Sequence, residues 1–100
     1  MKYETEYETS NRVTWISKPD PFGTREHIIA LGGVRSNGLP WGHTLDEVVA
    51  LIDRGEANFH VEQGRVRVAL ETYWHGWRKY LRTKADGIFY DNLLALPNIA

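Results

Sequence analysis

The sequence predicts an α+β fold, in which one helix packs on one face of an antiparallel sheet. Three observations lead to this class: one capped segment with a helical apolar period, one hairpin whose apolar and polar residues alternate, and several β-branched segments around them. The predicted order of elements is β-β-α-β-β-β. A chain of 100 residues has room for one core, so we expect a single domain over residues 12–100.

The helix is predicted over residues 45–54. Thr44 is a favourable N-cap, and Glu47 follows it at the spacing of a capping box. Gly55 provides a C-terminal stop. The apolar residues between these ends recur at i, i+3, i+4 and i+7, namely Leu45, Val48, Val49 and Ile52. The helix therefore has one apolar stripe that must pack against the sheet.

A hairpin is predicted after the helix, around a two-residue turn at residues 63–64. In that register Glu62 faces Arg65, and His60 faces Arg67 as a neutral surface residue. All apolar side chains of the two strands then fall on one face, and the charged side chains fall on the other. We therefore expect Arg65 and Arg67 to share the face that points away from the core.

The strands before the helix are predicted from two short segments rich in β-branched residues, 13–16 and 27–31. A rigid proline loop at residues 18–23 joins these segments, and we expect them to pair. A glycine-rich connection, residues 32–43, then leads to the helix. The two glycines at its start are expected to end the second strand.

The two ends of the chain are predicted to differ. Residues 1–11 nearly repeat Tyr-Glu-Thr and carry glutamates without compensating apolar residues. We expect a frayed acidic tail there, with an extra edge strand as the alternative. Near the other end, residues 86–87 are typical of a turn and Asp91 of a cap. Three leucines that follow are expected to pack onto the core, namely Leu93, Leu94 and Leu96.

The most uneven distribution of charge lies in residues 65–84, which hold six of the twelve basic residues and one acid, Glu71. The chain as a whole has a net charge of −1. Four aromatic residues lie among these cations. We expect a turn at residues 75–76, followed by a strand over residues 77–83. This composition suits binding to a macromolecule. The candidate binding residues are Arg65, Arg67, Trp74, Trp77, Arg78, Lys79, Tyr80 and Arg82.

Two functions from different classes fit these residues. The favoured one is a non-enzymatic interaction module that binds a protein partner, or forms a homodimer, through the open sheet face and the corner of Trp74 and Trp77. Exposed tryptophans beside arginines are typical of interface hot spots. The alternative is a nucleic-acid binder, in which cations contact phosphates and aromatic rings stack on bases. The near-neutral charge counts against this alternative, because dedicated nucleic-acid binders are usually basic overall.

A third and weaker hypothesis places a small ligand near residues 32–41, where a glycine-rich loop carries Arg35. The loop resembles a phosphate cradle, but it lacks the Gly-Lys-Ser/Thr ending of a nucleotide-binding loop. A flexible connection is the better account of this segment.

Other kinds of chemistry have little support. Because the chain has no cysteine, disulfides, zinc–thiolate sites and thiol nucleophiles are excluded. The histidines lack metal-ligand spacing, and the serines lie in the tail and loops. We therefore expect no metal, no cofactor and no enzymatic activity. Since no apolar run approaches the ~20 residues that span a bilayer and the N-terminus does not resemble a secretory signal, we expect no membrane association and a cytoplasmic location.

The last third of the sequence carries a motif of rare residue choices in fixed order. Residues 79–87, KYLRTKADG, lead into residues 91–97, DNLLALP. The strand at residues 13–16, a His-Ile-Ile strand and the Thr-capped helix precede this ending. Residues 13–97 together resemble domain-of-unknown-function family 3892, a family of small, mostly bacterial and phage proteins. The resemblance implies that the ending is one structural unit, and it implies no activity and no catalytic residue.

Overall fold

Two small β-sheets and one α-helix enclose the core. The computed structural model describes residues 10–84 and 93–99; the predicted tail up to residue 9, and the turn and cap predicted at residues 86–91, lie outside these ranges. The elements are β1 (Asn11–Arg12), β2 (Trp15–Ser17), a 3₁₀ helix (Arg25–His27), β3 (Ala30–Val34), β4 (Pro40–Thr44), α1 (Leu45–Asp53), β5 (Phe59–Gln63), β6 (Val66–His75) and β7 (Arg78–Thr83).

The strands are divided between two sheets rather than one. Strands β2, β3 and β4 form an antiparallel sheet in that order. The second sheet has the order β1-β5-β6-β7, in which β1 runs parallel to β5 and the other pairs are antiparallel. The α+β class is confirmed.

The order of elements departs from the predicted β-β-α-β-β-β in the part before the helix. Strand β1 lies before the first predicted strand and begins at Asn11, inside the predicted tail, whereas β2 contains residues 15–16 of the predicted strand. Strand β4 occupies part of the predicted glycine-rich connection. The second predicted strand begins only at Ala30, because residues 25–27 form the 3₁₀ helix. That turn is closed by a hydrogen bond from the Ile28 N–H to the Arg25 carbonyl.

Helix α1 lies where the capping pattern predicts it. Thr44 Oγ1 accepts a hydrogen bond from the Glu47 N–H at 3.2 Å, and Glu47 Oε1 accepts one from the Thr44 N–H at 2.9 Å. The chain leaves the helix at Gly55, whose φ of 72° is left-handed. The helix packs against β4, β6 and β7. Its buried residues are Leu45, Val48 and Val49.

Two glycines inside strands of the first sheet, Gly32 and Gly42, pack against the Trp15 ring. A Cβ on Gly32 would come within 2.3 Å of Trp15 Cζ2, and one on Gly42 within 3.2 Å. Only glycine leaves room for the indole at the first of these positions. The prediction that Gly32 ends its strand was wrong, because the same residue that interrupts an isolated strand also permits a close approach between strands.

The chain passes from one sheet to the other between two consecutive residues. The Val13 N–H donates to the His60 carbonyl, on β5, at 2.8 Å. The next N–H, that of Thr14, donates to the Gly32 carbonyl, on β3, also at 2.8 Å. This crossing divides the first predicted strand and ties the two sheets together.

The hairpin of β5 and β6 turns one residue later than predicted, at residues 64–65. Its glycine has a φ of 62°, which suits the first central position of a two-residue hairpin turn; the prediction had placed it second. Glu62 therefore faces Arg67, and His60 faces Ala69. Because the pairing shifts by two positions, every strand side chain keeps its predicted face. His60 is nevertheless only 4% exposed, so its predicted surface position was wrong.

The C-terminal leucines pack onto the core, as predicted. Leu93 is fully buried, and Leu94 and Leu96 are partly buried against the core. Asn98 then joins this segment to the residue after β2. Its side chain accepts a hydrogen bond from the Lys18 N–H at 2.9 Å and donates one to the Lys18 carbonyl at 2.8 Å.

Replacing Gly32 with alanine is expected to lower the free energy of unfolding by about 3 kcal/mol, because the new methyl group would overlap both the Trp15 ring and the Trp41 carbonyl. The matched control Gly42→Ala meets Trp15 at 3.2 Å, which a small shift relieves, and is expected to cost about 1 kcal/mol. Urea unfolding measures both variants. A Gly32→Ala protein as stable as wild type would contradict this packing.

Candidate functional site

A hairpin with two exposed tryptophans joins β6 to β7. His75 pairs with Arg78, so the two-residue turn consists of a glycine, with a φ of 70°, and Trp77. Trp77 therefore occupies the turn rather than the returning strand, where it was predicted. Trp77 is 96% exposed and Trp74 is 66% exposed. We call residues 74–77 the tryptophan tip.

The candidate cations do not form one continuous strip. Strand alternation places Arg78, Tyr80 and Arg82 on one face of β7, as predicted. The same alternation along β6 places Arg67 on that face. Arg65 lies in the turn between β5 and β6, so the prediction that it shares a strand face with Arg67 was wrong.

Four of the candidate cations are paired with carboxylates of neighbouring elements. The pairs are Arg67 Nε with Glu62 at 3.4 Å, Arg78 Nη2 with Asp46 at 3.2 Å, Lys79 Nζ with Asp53 at 2.8 Å, and Arg82 Nε with Glu71 at 2.8 Å. Two of the carboxylates lie on α1, so their pairs connect β7 to the helix. Such exposed pairs contribute only about 0–1 kcal/mol each to stability. Their main effect is that much of the positive charge between residues 65 and 84 is balanced in the fold.

Hydrogen bonds to Asp53 show how closely the helix and the sheet are joined. Lys79 Nζ donates to Asp53 Oδ2 at 2.8 Å, and Thr72 Oγ1 donates to Asp53 Oδ1, also at 2.8 Å. The bond from Lys79 lowers the pKa of Asp53 most, and the bond from Thr72 lowers it further. Asp53 thus bridges β6 and β7 from the end of α1.

Three cations also lie over aromatic rings of the same sheet. Arg82 Cζ lies 4.8 Å from the centroid of Tyr73, Arg78 Cζ lies 5.7 Å from that of Tyr80, and Lys79 Nζ lies 5.2 Å from that of Trp74. These distances fall within the ~6 Å of a cation–π contact. Among the described residues, Trp77 makes no contact of this kind. Trp77 is therefore the aromatic ring of residues 65–84 that no described cation covers.

The 3₁₀ helix covers part of the face that carries the β7 arginines, which the sequence did not predict. The Tyr73 hydroxyl donates to Glu26 Oε2, and Arg25 Cζ lies 5.1 Å from the Tyr73 ring centroid. Thr24 Oγ1 donates to Glu26 Oε1 at 2.6 Å. The bond from Thr24 and then the bond from Tyr73 lower the pKa of Glu26 from 4.5 to about 2. The 3₁₀ helix thus covers the sheet face at Tyr73, and Glu26 also reaches His75 of the tryptophan tip, 3.8 Å from its Nδ1.

Metal and membrane-spanning features are not seen in residues 10–84 and 93–99. No group of three His, Asp or Glu side chains there is placed to hold a metal ion. No helix in the same ranges is long and apolar enough to cross a membrane.

The helix, the tryptophan tip and both sheets, apart from Asn11 of β1, lie within one stretch that matches a protein-family model. The match covers residues 12–97. The chain belongs to the family Protein of unknown function (DUF3892). This membership confirms the resemblance that the C-terminal motif carries. No curated protein and no solved structure matches the chain.

Replacing Glu26 with glutamine is expected to reduce the dependence of stability on pH. The folded-state pKa of Glu26 lies near 2, below its usual 4.5. The ionised group therefore contributes stability above pH 4.5 that is lost as the pH falls toward 2. Urea unfolding at pH 7 should show the variant about 1 kcal/mol less stable than wild type, and the difference should shrink near pH 2.

Glu56→Gln is the control for this measurement, because Glu56 is exposed beyond the end of α1. Its substitution should leave the pH profile of wild type unchanged. A loss in the Glu26 variant that is as large near pH 2 as at pH 7 would contradict the role of the ionised carboxylate.

Proposed function

We propose that this protein is a non-enzymatic interaction module that binds a protein partner, another copy of the chain included, through the tryptophan tip. The observation that carries the proposal is the 96% exposure of Trp77. The strand that follows its turn, β7, is joined to α1 by the ion pairs of Arg78 and Lys79. An apolar pocket on the partner is the surface that fits this side chain.

The exposed area of the tip supplies a driving force for association. A buried tryptophan removes roughly 150–250 Å² from water, and at ~25 cal/mol per Å² of apolar surface this is worth about 4–6 kcal/mol. Trp74, at 66% exposed, adds further area beside it. Tryptophan is also among the residues most enriched at interface hot spots. Trp77 is therefore suited to be the anchor of an interface.

The rigidity of the hairpin limits the entropy that binding costs. Strands β6 and β7 pair continuously from Leu70 and Thr83 to His75 and Arg78. The ion pairs of Arg78 and Lys79 with α1 hold β7 at the base of the tip. A side chain presented by an ordered turn loses less conformational freedom on binding than one on a flexible loop.

The nucleic-acid alternative has less support from the geometry. It depends on the cations between residues 65 and 82, and four of them are paired with carboxylates at 2.8–3.4 Å. A phosphate would have to compete with these carboxylates for the same donors. Tyr80 and Tyr73, which would have to stack on bases, already lie under Arg78 and Arg82. The arrangement therefore favours a protein partner.

Trp77→Ala is expected to weaken binding to the partner at least about 30-fold, because hot-spot tryptophans cost 2 kcal/mol or more when truncated. Phe22→Ala is the matched control, since Phe22 is 94% exposed but belongs to the proline loop and not to the tip. Light scattering over a micromolar concentration series measures self-association of wild type and both variants. For a different partner, proteins captured by wild type are purified and their Kd is measured against all three chains.

The measurements distinguish the proposal from its failure and from the nucleic-acid alternative. Association that Trp77→Ala abolishes and Phe22→Ala preserves would support the proposal. It fails if wild type stays monomeric at high micromolar concentration and Trp77→Ala captures the same proteins with the same affinity. Binding of a random oligonucleotide that weakens steeply with salt, and that Trp77→Ala leaves unchanged, would favour the nucleic-acid alternative instead.

A further inference from the structure

A polar cleft of about 430 Å³ lies between β1, β5, the start of β6 and the loop that joins β3 to β4. Three arginines from different elements line it: Arg12 from β1, Arg35 from the loop and Arg67 from β6. His60 and Glu62 of β5 also line it. The cleft thus collects side chains that are distant in sequence, and it is separate from the tryptophan tip.

The charge of this cleft is opposite to that of the whole chain. The described residues that line it carry three guanidinium groups and one carboxylate, a difference of two positive charges, whereas the chain has a net charge of −1. His60 adds no charge near neutral pH, because burial lowers its pKa from the usual 6.5. Ser36 and Asn37 add polar groups to the lining. A cleft of this composition favours an anion.

Glu62 contacts three other groups that line the cleft. Its carboxylate lies 3.6 Å from Arg12 Nη1, 3.4 Å from Arg67 Nε and 3.4 Å from His60 Nε2. The ring of His60 is held on its other side by Ser10 Oγ, at 2.7 Å from Nδ1. Arg12 and Arg67 thus share Glu62, whereas Arg35 forms no ion pair with any described residue.

The backbone that carries Arg35 forms a hydrogen-bonded turn, in a segment where the sequence favoured a flexible connection. The Arg35 N–H donates to the Leu39 carbonyl at 2.8 Å, and the Gly38 N–H donates to the Arg35 carbonyl at 2.8 Å. The Asn37 side chain accepts a further bond from the Leu39 N–H at 3.0 Å. These hydrogen bonds fix the backbone at Arg35, one of the residues that line the cleft.

We propose that this cleft binds the phosphate group of a small ligand, which Arg12, Arg35 and Arg67 contact. The planar fork of a guanidinium matches two phosphate oxygens, so three of them converging on one cleft recognise phosphate better than a monovalent anion. The volume of about 430 Å³ is within the range of small-molecule sites. It exceeds the volume of a phosphate ion and leaves room for an attached group.

Calorimetric titration of the full chain at constant ionic strength tests the proposal, with adenosine monophosphate, inorganic phosphate and adenosine as probes. We expect the two phosphate-bearing probes to bind and adenosine not to bind. Tighter binding of the monophosphate than of inorganic phosphate would identify a phosphate monoester as the ligand class, and equal binding would identify free phosphate. Both results support recognition of the phosphate group.

Three variants locate the binding. Arg35→Ala, which removes an exposed turn residue, is expected to weaken phosphate binding about tenfold. Glu62→Gln is expected to tighten it severalfold, because the competing carboxylate is neutralised. Arg54→Ala, which removes the same charge at the exposed end of α1, is the control and should change binding less than twofold.

Several results would overturn the proposal. One is that neither phosphate probe binds at millimolar concentration. Another is that adenosine binds as tightly as adenosine monophosphate. A third is that Arg35→Ala and Arg54→Ala weaken phosphate binding equally. Circular dichroism of the variants shows whether each is folded, and if Arg35→Ala is not folded, the sign of the Glu62→Gln effect decides. Weaker or unchanged binding by Glu62→Gln would then contradict the proposal.

Discussion

The close approach of the Trp15 indole to Gly32 is the contact on which the rest of the described structure depends. Gly32 has no side chain, so the Trp15 ring can pack directly on the backbone of β3. Strand β3 pairs with β2 on one side and with β4 on the other. Strand β4 runs directly into the N-cap of α1, so the position of the helix follows from that of this sheet. The helix in turn supplies the two aspartates that hold Arg78 and Lys79 at the base of the tryptophan tip.

The sequence predicted those parts of the fold whose determinants are close together in the chain. The cap of α1 needs only Thr44 and Glu47, and both hydrogen bonds of the capping box are present. Gly32 was interpreted as a strand breaker because its role depends on Trp15, which belongs to another strand. The turn between β5 and β6 was misplaced because alternation alone permits any shift of two positions; the positive φ of its glycine decides the register.

The charge of the candidate site was harder to predict than its residues. The basic residues between 65 and 84 are evident in the sequence, but the partners of Arg78 and Lys79 lie 32 and 26 residues away on α1. Tyr73 likewise meets Glu26 across 47 residues. The same limitation applies to the arginine cleft, since no local spacing signals that β1, β6 and a loop converge there. Folding therefore pairs much of the positive charge of residues 65–84 with carboxylates and brings the arginines of the cleft together.

The pair of hydrogen bonds between Lys18 and Asn98 connects segments 80 residues apart. Ile16, in the adjoining strand, is fully buried and also bridges to Asn98. Contacts at such separation form only after a long loop has closed, which slows folding. During synthesis, the edge of β2 stays unpaired until residues 97–99 have left the ribosome. The native pairing of β2 is therefore completed only after that segment has been translated.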